Sequence, residues 1–315
     1  MTSGFKYSDT NKRYHTYGYY IRKRFGRRVF RAAMDIGAGC PNRCGECGCG
    51  GCLFCSDGSI PRGRFTGIPS EQLDEIYAKA CEATGLKAEG APFIPYLQAG
   101  SNTYGDIKAF EAVYRRLLSF QNAVGLCVAT RADCIDEAYA DLFAELSEKT
   151  YLTVELGLQT IYDETALACG RGHDLSRFMQ GYELLQSRGV NVGVHIINGL
   201  PNETADMMRG TARFVGKLRP HCVKIHNLYF ETGTPVSERL LRGEVRAMEL
   251  DEYVGIICDQ IELMPPETVI ARLTGDADRR KIIAPEWSLH KLPVLNEIDK
   301  ELARRGSFQG DKYDK

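Results

Sequence analysis

Six of the twelve cysteines of this chain lie in one segment of 16 residues, CPNRCGECGCGGCLFC, which runs from Cys40 to Cys55. The segment is rich in glycine and polar residues, and loops of this kind lie at the protein surface, where cysteine thiolates are available as metal ligands. Two spacings compete within it. Cys40, Cys44 and Cys47 give C-x3-C-x2-C, whereas Cys40, Cys52 and Cys55 give C-x11-C-x2-C.

Two kinds of metal centre suit these thiols. One is a structural zinc site on Cys44, Cys47, Cys52 and Cys55, although zinc ribbons and fingers usually separate their cysteine pairs by about a dozen residues or more. The other is an iron–sulfur cluster held by three cysteines, which leaves one iron open for a cofactor or substrate. A non-enzymatic iron–sulfur or zinc binding module is therefore one alternative for the chain.

Short β-rich runs alternate with longer amphipathic runs. Strands are predicted at 28–37, 92–100, 123–130, 150–159, 190–199 and 222–230, and 268–276 is a further candidate. Helices are predicted at about 70–84, 107–119, 135–148, 175–188, 204–217 and 250–263, with a terminal helix near 293–305. This alternation is typical of right-handed βαβ units with a parallel sheet. It predicts an α/β fold, a partial (β/α)6 TIM-like barrel with N- and C-terminal extensions.

Three regions follow from this pattern: a basic, Tyr/Arg-rich arm (1–27), a barrel core (28–264) and a C-terminal extension packed on the core (265–315). In a parallel α/β barrel the active site lies at the carboxyl ends of the strands. The polar residues just past each predicted strand are therefore the functional candidates. They are Cys40 onward, 98–103, 130–133, 155–159 and 195–201.

A three-cysteine loop after the first strand of a partial α/β barrel resembles the arrangement of the radical S-adenosylmethionine (SAM) enzymes. Nine motifs make the chain similar to the YhcC/YtqA-type family, which is related to the Elongator catalytic subunit and the oxygen-independent coproporphyrinogen oxidases. The resemblance covers about residues 15–307 and implies a [4Fe–4S] cluster and SAM as cofactors. The motifs are CPNR…GGCLFC, YLQAGSNTYG, ATRADCI, ELGLQTIYD, RGHD, HIINGLPNET, KIHNLYF, RLTGDADRR and APEWSLHK.

The resemblance also distinguishes the two cysteine spacings. In this superfamily the residue before the third cysteine is usually aromatic and packs near the adenine of SAM. That residue is Phe54 in the longer spacing and Glu46 in the shorter one, and a carboxylate suits an apolar adenine face poorly. The implied cluster ligands are Cys40, Cys52 and Cys55. Cys44, Cys47 and Cys49 stand where the family normally has other residues, which permits a second metal.

Three further motifs are implied to contact SAM. Residues 98–102, with Gln98 and Gly100, match the turn that meets the amino group, where glycine permits a close approach of the backbone. In ELGLQ, alternation places Glu155 and Gln159 on one face, where a carboxylate and an amide can hold ribose hydroxyls. The alternative for this pair is a structural ion pair inside the barrel. Arg171 of RGHD is the implied partner of the SAM carboxylate, because a guanidinium matches that planar anion; an exposed loop arginine is the alternative.

Other candidates depend on position. His195 stands where relatives place a polar contact to the ribose or adenine, although a lone histidine is as often a satisfied polar group. Thr130 and Arg131 follow the third strand. Lys224 and His226, spaced two apart, face one side of their strand and point towards substrate or simply line the barrel.

The charge of the chain is uneven although its formal net value is −1. Residues 1–34 carry nine Lys or Arg against one acid, Asp9. Arginines bind phosphates and tyrosines stack on unpaired bases, so this arm is a candidate RNA-binding element. The alternative is an extension that packs on the barrel with a solvated basic face. The tyrosines of the arm are Tyr7, Tyr14, Tyr17, Tyr19 and Tyr20.

The resemblance implies reductive cleavage of SAM to a 5′-deoxyadenosyl radical, with a reductant such as flavodoxin or ferredoxin. Kinship with Elongator points to tRNA, and Gram-positive members of the family are associated with tailoring the wobble-uridine side chain. Radical activation or maturation of a protein or small molecule is the enzymatic alternative. The N-terminus lacks the apolar core of a secretory signal, and no run approaches the roughly 18 to 20 apolar residues of a membrane span. We therefore expect a cytoplasmic enzyme without a membrane partner.

Overall fold

A computed structural model describes residues 4–48, 50–55, 60–85 and 91–313. Within these ranges seven strands form one parallel sheet in the order β1-β2-β3-β4-β5-β6-β8, and β7 pairs with β9 in a small antiparallel ribbon. The strands are β1 (Phe30–Met34), β2 (Phe93–Leu97), β3 (Gly125–Thr130), β4 (Tyr151–Gln159), β5 (Asn191–Asn198), β6 (Cys222–Asn227), β7 (Phe230–Glu231), β8 (Val269–Arg272) and β9 (Ile282–Ala284).

Helices connect the strands, and several begin where the sequence supplies a capping side chain. Asp106, Asp136, Asp174 and Thr204 each accept a hydrogen bond from a backbone N–H of the first turn of the helix that follows. The helices are α1 (Tyr17–Phe25), α2 (Pro41–Cys44), α3 (Ser70–Glu82), α4 (Ile107–Leu118), α5 (Glu137–Lys149), α6 (Asp163–Ala168), α7 (Leu175–Ser187), α8 (Ala205–Leu218), α9 (Pro235–Leu241), α10 (Leu250–Glu262) and α11 (Lys291–Arg305).

The predicted partial barrel is confirmed. All six predicted strands are present as β1 to β6, and the candidate at 268–276 supplies β8, which pairs with β6. The seven predicted helices are α3, α4, α5, α7, α8, α10 and α11. Sequence reasoning missed the short elements α1, α2, α6 and α9 and the β7–β9 ribbon.

The two faces of the sheet differ because successive side chains of a strand point in opposite directions. In β4, Leu152, Val154 and Leu156 belong to the large core between the sheet and its helices. The residues between them, including Glu155 and Gly157, face the inside of the barrel, where they line a cavity. One strand therefore supplies both core packing and site residues.

Helix α1 closes the amino end of the barrel. Ile21 is buried against Ile94 and Tyr151, which face the barrel interior from β2 and β4. The ring of Tyr20 lies 5.0 Å from the His221 ring, and that of Phe25 lies 5.8 Å from the Tyr151 ring. The arm is thus packed on the barrel by its apolar and aromatic side. Its outer side exposes Arg22, Lys23, Arg24, Arg27 and Arg28.

The arm also contacts the last described residues. The side chain of Gln309 accepts a hydrogen bond from the backbone N–H of His15 (2.8 Å) and donates to the carbonyls of Pro265 and Thr268. Because β8 joins the main sheet, residues 265–313 complete the barrel as well as covering it; the proposed three-region division stays a prediction. No helix in the described part of the chain is long and apolar enough to cross a membrane.

Candidate active site

The carboxyl ends of the strands surround a cavity of about 340 Å³. It is lined by residues from the loop after β1, from the ends of β2 to β6 and from the loop before α7, because parallel strands deliver their carboxyl ends to one side of the sheet. Every residue proposed from the sequence to bind the cluster or SAM lines this cavity: Cys40, Cys52, Phe54, Cys55, Gln98, Gly100, Thr130, Glu155, Gln159, Arg171 and His195.

The cysteines of the two competing spacings lie in different places in the structure. Cys40, Cys52 and Cys55 line the cavity. The Sγ atom of Cys44 instead accepts a hydrogen bond from the backbone N–H of Gly63 at 2.9 Å. Cys47 borders a different cavity, where its thiol donates to Asp133 at 3.4 Å. Cys49 lies outside the described residues.

The thiol of Cys52 is surrounded by hydrogen-bond donors. Asn42 donates from Nδ2 to Cys52 Sγ (3.4 Å) and to the carbonyl of Gly170 (2.6 Å), and Arg171 Nη1 lies 4.0 Å from the same sulfur. A hydrogen bond with Cys55, opposed by burial and assisted by Arg171, lowers the pKa of Cys52 to about 5. Thiolates are the ligands of iron–sulfur clusters, and N–H groups that donate hydrogen bonds to the sulfur atoms change the reduction potential of the cluster. The donor set therefore fits a cluster held by three cysteines.

The loop after β2 is fixed by contacts within the protein. Gly100 has φ +73°, and a Cβ there would lie 2.0 Å from the carbonyl oxygen of Ala38. The close approach expected for this glycine is therefore to the backbone after β1. The hydroxyl of Thr130 shares hydrogen bonds with Ser101 (3.0 Å) and Thr103 (2.6 Å), so it joins the end of β3 to this loop.

Arg131 supports its neighbours. Its Nε and Nη2 atoms donate to the two carboxylate oxygens of Asp133, at 2.8 and 2.7 Å. Its Nη1 atom donates to the carbonyl of Arg171 at 3.0 Å. Arg131 therefore holds the backbone of Arg171 and has its guanidinium satisfied by Asp133.

Glu155 lies in a buried ion cluster. Its Oε2 atom accepts hydrogen bonds from Lys224 Nζ and from His195 Nε2 (2.9 Å), and Arg31 Nη1 lies 3.3 Å from Oε1. Burial alone would raise the pKa of Glu155, but Lys224 and Arg31 outweigh it and hold that pKa well below its usual range. These contacts match the structural alternative considered for this residue. One acceptor remains, because Oε1 has no hydrogen-bond partner among the described residues.

Arg171 is buried, with 6% of its surface exposed, so the interpretation as an exposed loop arginine is wrong. Its Nη2 atom donates to the carbonyl of Gly157 at 2.6 Å. Its Nε atom is buried and has no hydrogen-bond partner within the described ranges. A buried donor without a partner costs free energy, so the geometry leaves Arg171 ready for an anionic ligand.

Comparison with known proteins decides the family. Residues 34–215 match the model of the Radical SAM superfamily, and residues 220–304 match that of the Radical_SAM C-terminal domain. The chain belongs to the radical SAM superfamily. Enzymes of this superfamily use a [4Fe–4S] cluster and SAM and need a reductant, so this chain is a radical SAM enzyme with these two cofactors.

Two sequence relatives and one solved structure are similar to this radical SAM enzyme. It is 41% identical to the Bacillus subtilis protein YtqA over 97% of this chain and 94% of that protein. It is 29% identical to the tRNA uridine(34) acetyltransferase of Methanocaldococcus jannaschii over 51% of this chain and 30% of that protein. The solved structure of Methanocaldococcus infernus Elp3 lacking its N-terminus (1–46) superposes with a TM-score of 0.64 at 18% identity, over 88% of this chain and 63% of that chain. The last similarity shows the fold.

A second, smaller cavity of about 150 Å³ adjoins the main one. Phe54 and Gln159 line both cavities, and Ile197 and Leu228 add apolar walls to the smaller one. Phe54 packs against an apolar cluster that includes Leu228 and Phe230. In a radical SAM enzyme, a recess beside the cysteine loop with Phe54, Ile197 and Leu228 on its walls suits an adenine ring.

Sequence reasoning missed four residues of this radical SAM site. Tyr96, Tyr229 and Arg272 line the cavity, and Arg31 lies behind Glu155. Tyr96 could have been found, because it is two residues before Gln98 on the same strand face. Arg272 follows a register irregularity between β6 and β8, which the sequence pattern does not reveal.

Proposed function

We propose that this radical SAM enzyme modifies tRNA, at the side chain of the wobble uridine, with flavodoxin or ferredoxin as its reductant. The observation that carries the proposal is the likeness to the tRNA uridine(34) acetyltransferase, within the half of the chain that the alignment covers. The exposed cations of the arm support it. When bound, the reduced cluster supplies the electron that cleaves SAM to methionine and a 5′-deoxyadenosyl radical.

Cys40, Cys52 and Cys55 hold the cluster in this proposal, and the loop that carries Gln98 and Gly100 meets the amino group of SAM. The unpartnered Nε of Arg171 receives the SAM carboxylate, since a buried guanidinium is a strong partner for that anion. These residues orient the cofactor, and the walls of the cavity limit the access of water to the radical.

The nucleoside part of SAM faces the other wall. The Oε1 atom of Glu155, which faces Arg31 but accepts no hydrogen bond among the described residues, and the amide of Gln159 are the acceptors and donors for ribose hydroxyls, while Phe54 lies against the adenine. His195 contributes through the ring nitrogen that Glu155 does not occupy. Thr130, whose hydroxyl is already bonded, contributes to the shape of the cavity near SAM.

The arm contributes phosphate contacts. Tyr14 is 4% exposed and the other four tyrosines of the arm are partly buried, so base stacking on them is not part of the proposal. Arg27 and Arg28 precede β1 whereas Cys40 follows it, so the basic surface and the cavity lie at opposite ends of the barrel. We infer that the basic surface holds the body of the tRNA while an unpaired region reaches the cavity.

Salt dependence tests this contact. The binding constant for tRNA should fall as the salt concentration rises. A plot of the logarithm of one against the logarithm of the other should have a slope of about −0.7 to −0.9 per phosphate contacted, because Lys and Arg side chains that bind phosphates release the counterions condensed on the RNA. Replacing the five exposed cations of the arm by Gln should flatten the slope and leave uncoupled SAM cleavage intact. Five exposed cations elsewhere, each paired with an acid, give a matched control that should keep the slope: Arg242, Arg246, Arg280, Lys300 and Arg304.

Nucleoside mass spectrometry of tRNA from a deletion strain tests the substrate itself. The proposal expects loss of one wobble-uridine derivative and accumulation of its precursor. An unchanged nucleoside profile would reject tRNA as the substrate and favour a protein or small molecule, and it would leave the radical SAM assignment in place.

A further inference from the structure

One wall of the cavity carries two cations and two histidines, and its single carboxylate, Glu155, pairs with only one of these cations, Lys224. We call it the β5–β8 wall; it consists of His195 on β5, Lys224 and His226 on β6 and Arg272 on β8. Glu155 is the one carboxylate among the described residues that line the cavity. The wall therefore has capacity for an anion that the protein itself does not supply.

The strand register packs these groups together. His195 is directly beside Lys224 across the β5–β6 pair, and Lys224 is directly beside Arg272 across the β6–β8 pair. The rings of His195 and His226 lie 5.5 Å apart. The register shift between Val223 and Lys224 brings Arg272 level with Lys224, which places two cations side by side on neighbouring strands.

Glu155 cannot neutralise this wall, because its contacts are already shared. Lys224 and His195 occupy Oε2, and Arg31 lies near Oε1. The carboxylate paired with Arg272 is that of Asp276, 3.7 Å away, and the Asp276 side chain is 51% exposed and also pairs with Lys291. A long ion pair to an exposed carboxylate contributes little. Arg272 thus has an open position towards the cavity.

The electrostatic consequence is visible at His226. Burial, followed by His195, Arg272 and Lys224, lowers its pKa well below the usual range. Like charges held together inside a protein repel strongly unless a counter-charge is present. An anion bound between Arg272 and His226 would offset the positive charge of Arg272 and Lys224, favour protonation of His226 and gain a charge-assisted hydrogen bond from the guanidinium.

We propose that the β5–β8 wall is a subsite for an anionic group of the substrate, a carboxylate or a phosphate, received by Arg272 and His226. The inference depends on the proposed function, since it leaves His195 to SAM and assigns Arg272 to the substrate, with His226 between the substrate position and the smaller cavity proposed for the adenine. It limits the substrate class: the group that meets the radical carries, close to its reacting carbon, an anion that fits this wall.

Calorimetry on the cluster-loaded, SAM-saturated enzyme tests the subsite, with inorganic phosphate and acetate as separate probes. We expect one of the two anions to bind the wild type at least tenfold more tightly than the Arg272→Gln variant. The probe that binds better identifies the source as phosphate or carboxylate. Arg272→Lys should retain part of the affinity, because it keeps the charge without the planar fork, and a His226→Gln variant should weaken the same probe.

Arg280→Gln is the matched control, because Arg280 is an arginine in the segment that follows β8 and its side chain is 86% exposed. It should bind the probe as the wild type does. Equal binding by wild type and Arg272→Gln, or weaker SAM binding in Arg272→Gln, would overturn the subsite. SAM affinity is titrated first in each sample: failure of the wild type to bind SAM would reject the proposed function, whereas intact SAM binding without anion binding would reject the subsite alone.

Discussion

The two ends of the barrel interior differ in chemistry although the same strands build both. At the amino end, Ile94 and Tyr151 pack with Ile21 of α1 in a closed apolar layer. At the carboxyl end of the same two strands, Gln98 and Gln159 border an open polar cavity. On the inner face of each of these strands, the first residues are apolar and pack against α1, whereas the residues at the end are polar and line the cavity. Only a few residues of the strand lie between the two.

Arg31 joins these two ends. Its guanidinium lies 4.0 Å from the centroid of the Tyr17 ring of α1 and 3.3 Å from Glu155 Oε1. Glu155 in turn bonds Lys224, whose ammonium also donates to the hydroxyl of Tyr96 at 2.8 Å. The aromatic layer and the cavity are thus connected through one chain of buried charges, and each end can be perturbed to test how independent it is.

The largest expected effect is loss of the cluster. Replacing Cys40, Cys52 and Cys55 together by Ala should abolish the iron content and reduced-cluster EPR signal of anaerobically reconstituted protein, together with SAM cleavage, because no other cysteine among the described residues lines the cavity. The triple variant of Cys44, Cys47 and Cys49 is the control and should keep iron, signal and cleavage largely intact. If the control is the inactive variant, the assignment of ligands is wrong.

A crossed pair of variants tests the separation of the two ends. Ile21→Ala removes a side chain that is 2% exposed and should lower the free energy of unfolding by about 2–5 kcal/mol, with SAM affinity unchanged. Arg171→Ala should instead weaken SAM binding by about 1.5–3 kcal/mol through loss of a charge-assisted hydrogen bond.

Urea unfolding and calorimetry measure the two quantities. Leu292→Ala serves as the control for the first, because Leu292 is 74% exposed and its replacement should change stability by about 0.5 kcal/mol or less. Loss of SAM affinity in Ile21→Ala would show that the two ends of the barrel interior are coupled through Arg31. The separation of packing at one end from cofactor binding at the other would then be wrong.

The smallest expected effect concerns Glu203, which follows β5 and bonds the hydroxyl of Thr160. Burial raises the pKa of Glu203 to about 7. When the pKa of a carboxyl is higher in the folded than in the unfolded state, its contribution to stability is fully present at a pH below the unfolded-state pKa. That contribution is lost as the pH rises through the folded-state pKa, here about 7. Glu203→Gln keeps an acceptor oxygen but cannot ionise. The free energy of unfolding of this variant, relative to that of the wild type, should therefore increase by roughly 1–3 kcal/mol between pH 4 and pH 8. Urea midpoints that shift in parallel at both pH values would contradict this.

The sequence allowed most of the fold to be predicted because the long strands and helices carry a clear periodicity. Helix α1 was not predicted because the side that packs on the barrel is mostly aromatic and the helix is otherwise rich in basic residues; Ile21 is its one buried residue. Its arginines and tyrosines suggested RNA contacts, whereas several of its rings pack against the barrel. Only the tertiary neighbours show which side of such a segment is covered.

The site was predictable where parallel topology alone fixes position, since residues just past the strand ends must meet at one side of the sheet. The partners of those residues were not predictable. Gly100 was chosen for a close backbone approach, but the atom it approaches belongs to Ala38. The pairing of Glu155 with Arg31 joins residues far apart in the sequence, and Arg272 reaches the cavity through an irregular register, so neither leaves a local pattern.

The contact between the arm and the end of the described chain has a consequence for biosynthesis. The carbonyl of His15 accepts a hydrogen bond from Ile270, and the N–H of His15 donates to Gln309, which follows it by 294 residues. The ribosome therefore releases the arm long before the residues that fix it in place. During translation Tyr20 and Phe25 are synthesised long before His221 and Tyr151, against which they pack, so the aromatic side of this helix is exposed to chaperones on the nascent chain until those residues emerge.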